Sequence, residues 1–192
     1  MEQLLIVSLW FFGITHVDTF LLLVAFCTDE NYQIPEVVVG HYLGFSAGLA
    51  VALVGSFVAA QSLREYAFIL GLVPLALGVW GIIRRRPSSA PASGIVTHGR
   101  GARTGVVTFA GIGLSGENIA VFIPFFVTLT AAELLLVTVL YIVAAGVVFV
   151  LAYVVARLTV VAGLPAWFEN WAAPASLIVI GLYVLSAGWV AG

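Results

Sequence analysis

Apolar residues fill six long stretches of this chain, and short polar segments separate them. A helix that crosses about 30 Å of hydrocarbon needs about 20 mostly apolar residues. The predicted membrane-spanning helices are 4–27, 36–60, 65–83, 105–129, 133–156 and 172–190. The alternating pattern of a barrel strand is absent, and every backbone amide in lipid must be satisfied internally. The pattern therefore predicts an all-α polytopic membrane protein with six transmembrane helices.

Residues typical of helix ends support these limits. Pro35 and Glu36 suit the first turn of the second helix, where a missing amide hydrogen is harmless and a carboxylate meets the positive end of the helix dipole. The spacing of Thr130 and Glu133 predicts a capping box at the start of the fifth helix. The acidic segment between the first two helices, with Asp29 and Glu30, is expected to be a solvated loop that extends to Glu36.

The composition excludes most other classes of protein. Apolar residues make up 62% of the chain and charged residues 8%, whereas about a quarter of the residues in soluble domains are charged. The net charge of −2 gives no basis for a nucleic-acid partner, and the single cysteine excludes a disulfide framework. Phosphate-loop, dinucleotide, zinc-protease and nucleophile-elbow motifs are absent. We therefore expect a lipid bilayer as partner, no enzyme activity and no cofactor.

Arginine placement predicts the orientation and the internal organisation. Segment 84–104 holds five of the seven Lys and Arg residues, all of them arginine, and the positive-inside rule places this basic linker in the cytoplasm. Both termini are then external, in the cytoplasmic membrane of a prokaryote. The linker separates a three-helix repeat, 1–83, from a second one, 105–192. Since three is odd, the repeats have opposite orientations, and this 3+3 inverted-topology repeat is typical of secondary transporters.

Two carboxylates, Asp18 and Glu117, lie about midway along predicted spans, at similar positions in the two repeats. A central carboxylate costs about 2.5–3.5 kcal/mol on insertion scales and is functional by default. No arginine lies in a predicted span and the chain has no lysine, so a salt bridge with either is excluded. Three explanations remain: a protonated carboxyl group, a pair with a charged histidine, or a bound cation.

Neighbouring residues favour the bound cation. On a regular helix Thr15, Asp18 and Thr19 share one face, which would supply oxygen ligands, whereas His16 joins them only if the helix unwinds locally. Ser115 and Asn118 flank Glu117 in the fourth span.

Glycines and a proline in the predicted spans indicate either local unwinding or close packing of the helices. Glycines before Glu117 and Pro124 after it predict local unwinding of the fourth helix, or alternatively only close helix packing. His41 lies among the glycines of 40–48 and is either a relay or metal ligand or an interhelical hydrogen-bond donor. Glycines in 40–48 and 188–192 permit either packing within the chain or a homodimer. The candidate metal ligands are Thr15, His16, Asp18, His41, Ser115, Glu117 and Asn118.

These segments also resemble a known family. Residues 115–119 (SGENI) and 122–126 (FIPFF) resemble the GGDNIxxYxPxF segment of the CadD-type cadmium resistance transporters. Segments 15–18 (THVD), 40–44 (GHYLG) and 71–78 (GLVPLALG) are also similar to that family. The chain departs from the pattern at Glu117, where family members commonly have Asp, and at His41, where they often have Gln. The resemblance implies membership of the LysE superfamily of exporters.

The expected function follows from both the residues and the resemblance. We expect a secondary transporter that exports a divalent cation from the cytoplasm, with Asp18 and Glu117 as paired ligands. A carboxylate that loses its metal in an apolar setting should gain a proton, which makes proton coupling an open question. Cadmium favours thiolate ligands, while carboxylate, amide and hydroxyl oxygens suit Mn²⁺ or Zn²⁺ equally. The alternatives are an exporter of amino acids or other small organic cations, and a membrane scaffold or enzyme subunit.

Overall fold

The computed structural model describes residues 2–63 and 99–158, together with the single positions 72, 75, 76, 79, 83, 178, 182 and 185. Five helices lie in the two continuous ranges: α1 (Glu2–Thr15), α2 (Val17–Thr28), α3 (Ile34–Leu63), α4 (Arg100–Val127) and α5 (Ala131–Arg157). No strand occurs in this part of the chain, so the all-helical prediction is confirmed here. The predicted spans 65–83 and 172–190, and with them the complete 3+3 repeat, lie outside the described residues.

Four of the predicted spans correspond to described helices. Segments of α3, α4 and α5 are each long and apolar enough to cross a membrane. Helices α1 and α2 pass the same test only as one bent span, with an angle of 53° between them. The first predicted span therefore corresponds to a bent helix pair, which has the form of a broken span or of a re-entrant loop.

Many exposed side chains of this protein are large and apolar, unlike those on the surface of a soluble protein. Large apolar side chains point outward along α3 and α5, and the mainly apolar interior also holds several polar side chains. Such a surface would be unfavourable in water, but in lipid it places apolar groups in hydrocarbon and polar groups inside the protein. The exposed apolar residues include Val39, Leu43, Val54, Phe57, Leu135, Val139, Val143, Val147 and Val150. The buried polar residues include Ser8, Thr15, His16, Thr19, His41, Ser56, Ser115 and Asn118.

Glycines bring the backbones of α3 and α4 into contact. A Cβ atom added at Gly44 would lie 2.9 Å from the Thr108 carbonyl oxygen and 3.3 Å from the Gly111 Cα. One added at Gly48 would lie 2.6 Å from the Ser115 hydroxyl oxygen. Small residues allow this close approach where the hydrophobic effect does not drive helices together. The glycines of 40–48 therefore serve packing within the chain.

An ion pair joins the first turns of α3 and α4. Arg103 donates from Nε and Nη2 to the two Glu36 carboxylate oxygens, at 2.9 Å and 2.8 Å. Glu36 Oε2 also accepts from the backbone amide of Gln33 at 3.0 Å, and its side chain is 5% exposed. Two expectations are corrected: Glu36 is paired in a helix rather than solvated in a loop, and Arg103 belongs to α4 rather than to a flexible linker.

The start of α4 and the start of α5 show how local signals set helix ends. Gly99, immediately before α4, has a φ angle of 101°, a left-handed conformation that glycine adopts without strain. At α5 the predicted capping box is confirmed: the Thr130 side chain accepts from the Glu133 amide, and Glu133 accepts from the Thr130 amide. Helix α5 packs mainly on α2 and also on α1. Two tightly packed groups result, α3 with α4 and α1–α2 with α5.

Gly44→Ala is expected to destabilise the protein. The added methyl group meets backbone atoms of α4, which cannot move aside as a side chain would, and overpacking of this kind typically costs about 1–3 kcal/mol. Thermal unfolding of the purified protein in detergent measures the effect. Gly105→Ala is the matched control, because a Cβ there has open space and alanine favours the helix. Equal Tm values for the two variants would contradict the close α3–α4 contact.

Glu36→Gln is expected to lower Tm, because it leaves the Arg103 guanidinium without its bidentate partner. Exchanging the two residues, with Glu36→Arg and Arg103→Glu combined, should recover part of the loss. Glu30→Gln in the exposed loop is the control and should leave Tm unchanged. If Glu36→Gln melts like the wild type, the ion pair does not hold the two helix ends together.

Candidate metal centre

The break between α1 and α2 is centred on His16. Ending α1 inside a span leaves backbone carbonyls without their helical partners, which is costly in an apolar environment. Two side chains add hydrogen bonds at this helix end, where the His16 backbone amide also donates to the Phe12 carbonyl at 3.1 Å. The Thr15 hydroxyl donates to the Phe11 carbonyl at 2.9 Å, and His16 Nδ1 donates to the Phe12 carbonyl at 2.9 Å. The break is thus satisfied by the residues that form it.

These bonds also determine which ring nitrogen of His16 is free. A carbonyl only accepts, so Nδ1 carries the hydrogen and Nε2 keeps its lone pair for a proton or a metal ion. The ring is 2% exposed and stacks on Phe12, with a centroid distance of 3.8 Å and an interplanar angle of 13°. Phe122 lies on it at 6.1 Å and 19°. The imidazole is therefore held in one orientation by its ring contacts and one backbone bond.

Asp18 lies in the first turn of α2 because the span is broken there. Its Oδ1 accepts from the backbone amide of Thr19 at 2.6 Å, and the Thr19 hydroxyl lies 3.4 Å away. The first turn of a helix has unpaired amides and a positive dipole end, and both stabilise a carboxylate. The break thus gives a physical reason for an acidic side chain in the middle of a span. Thr15 ends α1, whereas Asp18 and Thr19 lie together in α2, so the three residues do not share one regular helix.

Helix α4 places its polar residues on two sides. It is continuous from Arg100 to Val127, so the expected unwinding near Glu117 and Pro124 is wrong. Ser115 donates to the Gly111 carbonyl at 2.9 Å and packs on Gly48 of α3. Asn118 is 7% exposed, and its side-chain carbonyl oxygen has no hydrogen-bond partner.

Glu117 is exposed on the side of α4, and no other described residue forms an ion pair or hydrogen bond with its side chain. It is nevertheless close enough to Asp18 for the two carboxylates to interact electrostatically.

His41 joins α3 to α5. Its Nε2 lies 3.2 Å from the Ala145 carbonyl oxygen, so Nε2 carries the hydrogen and Nδ1 keeps the lone pair. Of the two interpretations of His41, the interhelical hydrogen bond is the one present. The Phe45 ring lies between the histidines, 5.7 Å from His16 and 6.3 Å from His41.

The candidate ligands form two pairs rather than one cluster. Glu117 lies within electrostatic range of Asp18, whereas His16 and His41 both contact the ring of Phe45. In the ranges 2–63 and 99–158, no three His, Cys, Asp or Glu side chains come together as a metal site. Cys27 lies further along α2 from Asp18, a rise of about 13 Å. A cation between the two carboxylates would therefore be completed by neutral oxygens or by water rather than by thiolate.

Two features of the interior have no signal in the sequence. The first is the Glu36–Arg103 ion pair, whose partners are 67 positions apart. The second is Tyr141, a wholly buried residue of α5 whose hydroxyl has no hydrogen-bond partner. Tyr141 lies in a uniformly apolar stretch, where nothing distinguishes an inward-facing tyrosine from one at the membrane surface. Only the packing of α5 on α1 identifies it.

Comparison with known families decides the class. The sequence profile of the cadmium resistance transporter family matches residues 12–189. The chain belongs to the cadmium resistance transporter family. The match includes the broken span, α3, α4 and α5, and it confirms the resemblance drawn from the 115–126 segment. A transporter family also agrees with the absence of enzyme motifs. No curated protein and no solved structure matches the chain.

The hydrogen bonds of this transporter predict opposite tautomers for its two buried histidines. At alkaline pH, where imidazole is neutral, we expect His16 to carry its hydrogen on Nδ1 and His41 on Nε2. Nitrogen-15 NMR of histidine-labelled protein distinguishes the two forms. His98→Gln removes the third histidine, and His41→Gln assigns the remaining signals. The same tautomer at both positions would contradict the hydrogen bonds described.

Proposed function

We propose that this transporter exports divalent metal cations from the cytoplasm, with Asp18 and Glu117 as the charged ligands of its transport site. The ion is the cargo, and the protein needs no resident cofactor. The family match supports transport and cadmium resistance. The residues around the broken span support the position of the site.

The observation that carries this proposal is the placement of Asp18. The break at His16 creates a helix N-terminus within a span, and Asp18 lies in its first turn. Glu117 on α4 is the charged group that acts on it, and the Arg103 side chain is engaged by Glu36. Two carboxylates that repel each other in an apolar environment gain most when a divalent cation lies between them.

The ligand chemistry favours hard and intermediate ions as well as cadmium. Two carboxylates, the Asn118 amide oxygen and water would suit Mn²⁺, and an added imidazole nitrogen from His16 would suit Zn²⁺. The thiolate that cadmium prefers is absent from the described neighbourhood of Asp18, because Cys27 lies about 13 Å along α2. We therefore expect the transporter to confer tolerance to several divalent ions.

The proposal also specifies the direction of metal transport and its coupling to protons. The basic linker 84–104 places the Glu36–Arg103 end of α3 and α4 on the cytoplasmic side, with both termini external in a prokaryotic cytoplasmic membrane. Release of the cation would leave two carboxylates close together, and protonation relieves their repulsion. Because protonation accompanies release of the cation, we expect protons to move inward in exchange for the exported metal ion.

Asp18→Asn and Glu117→Gln are each expected to abolish metal tolerance. Each substitution keeps the shape of the side chain and removes one negative charge of the pair. The measurement is growth of a metal-sensitive bacterial host on graded CdCl₂, ZnCl₂ and MnCl₂, with cell-associated metal determined by mass spectrometry. Equal expression is verified in membranes. Wild-type tolerance conferred by both variants would overturn the proposal.

Matched controls separate the charge effect from general damage. Asp29→Asn changes an acid whose carboxylate only accepts from Asn31 in the loop after α2. Glu133→Gln changes the acid of the α5 capping box. Both should retain tolerance. Reconstituted vesicles supplied with either labelled metal or labelled lysine test the alternative substrate class: lysine transport without metal transport would assign the protein to export of organic cations.

A further inference from the structure

Two buried oxygen atoms in the described part of the chain have no hydrogen-bond partner. They are the side-chain carbonyl oxygen of Asn118 and the hydroxyl oxygen of Tyr141. Tyr141 is 0% exposed and Asn118 is 7% exposed. Nearly all buried polar atoms of native proteins are hydrogen-bonded, and in an apolar environment an unpaired one is especially unfavourable. Each of these atoms therefore requires an explanation.

Tyr141 packs on the same two rings as His16. Its ring centroid lies 5.0 Å from that of Phe12 and 4.8 Å from that of Phe122. His16 contacts these phenylalanines at 3.8 Å and 6.1 Å. The phenol of α5 therefore belongs to the group of rings that surrounds the break in the first span.

Tyr141 and Asn118 also lie at similar distances along their helices from the α4–α5 connection. Asn118 is about 13 Å before the end of α4, and Tyr141 is about 15 Å after the start of α5, at a rise of 1.5 Å per residue. A short connection joins these two helix ends. Phe122, which contacts Tyr141, lies one turn after Asn118 on the same buried face of α4. Tyr141 thus packs on the buried face of α4 that carries Asn118, against Phe122 and Phe126.

We propose that Tyr141 is a further substrate-contacting residue of the transport site, where its hydroxyl hydrogen-bonds to water in the coordination shell of the cation, beside the Asn118 carbonyl oxygen. This inference rests on the proposed metal transport. Water held by a divalent ion supplies strong donors, which an amide carbonyl and a phenol oxygen accept. The two oxygens have no partner among the described residues because the hydrated cation is their partner during transport.

Tyr141→Phe tests this directly, because it removes only the hydroxyl and keeps the ring on Phe12 and Phe122. The initial rate of metal uptake into vesicles that contain the purified full-length protein is measured over a range of CdCl₂ concentrations. We expect KM to rise by about tenfold, the size expected for loss of one hydrogen bond to a charged group. Tm in the absence of metal should stay unchanged or rise, since the hydroxyl has no partner in the protein.

Tyr153→Phe is the matched control on the same helix. Its hydroxyl accepts from Arg157 Nε at 3.1 Å near the end of α5, away from the break at His16. This variant should show wild-type KM. A second readout uses binding alone: CdCl₂ should raise Tm of the wild type, and Tyr141→Phe should need more metal for the same shift.

The outcomes distinguish this inference from the proposed function. If Tyr141→Phe has wild-type KM and wild-type metal dependence of Tm, while Asp18→Asn abolishes transport, only the role of Tyr141 is overturned. If Asp18→Asn and Glu117→Gln both transport metal like the wild type, the transport site itself is wrong. If Tyr141→Phe cannot be purified in a folded form, the hydroxyl supports the fold and the inference is also overturned.

Discussion

Hydrogen bonding in an environment without water is the constraint on which the centre of this transporter depends. A transmembrane helix satisfies its own backbone groups, so a break in the middle is tolerated only where side chains replace the lost bonds. Thr15 and His16 provide donors for the end of α1, and Asp18 provides an acceptor for the start of α2. The three polar residues that enclose the break are therefore both its structural support and the candidate site, which explains why they occur together in an apolar span.

Two kinds of contact pack the helices around this break. Between α3 and α4 the backbones touch through glycines, and an ion pair joins the cytoplasmic helix ends in the proposed orientation. Between α1 and α5 the contacts are made by aromatic rings instead. Rings of Phe12, Phe45 and Phe122 contact the imidazole of His16, and Tyr141 packs on two of them, Phe12 and Phe122. The candidate site thus lies between the closely packed α3–α4 pair and the aromatic rings of α1 and α5. Both restrict the positions that its polar groups can occupy.

Local sequence signals predicted the helices well and the interior only in part. The capping box at Thr130 and the helix start at Pro35 are determined by neighbouring residues, and both predictions are confirmed. The predicted break was assigned to the wrong span. Glycines near Glu117 suggested unwinding of the fourth span, but those at 44 and 48 show that small residues also serve close packing, and α4 stays helical. The break occurs at His16, where no glycine or proline marks it.

Composition and charge placement by themselves indicated the class of this protein, the apolar segments that form α1 to α5 and the two unusual carboxylates, because the free energy of a charge in hydrocarbon depends mainly on its depth in the membrane. The same residues carried the resemblance that the family match confirmed. The tertiary structure alone decided which groups face one another. It paired Glu36 with Arg103, placed the histidines on opposite sides of Phe45, and left Asn118 and Tyr141 with unpaired oxygens. These contacts join residues far apart in the chain, and they depend on helix rotation and crossing, which packing fixes and local sequence patterns do not.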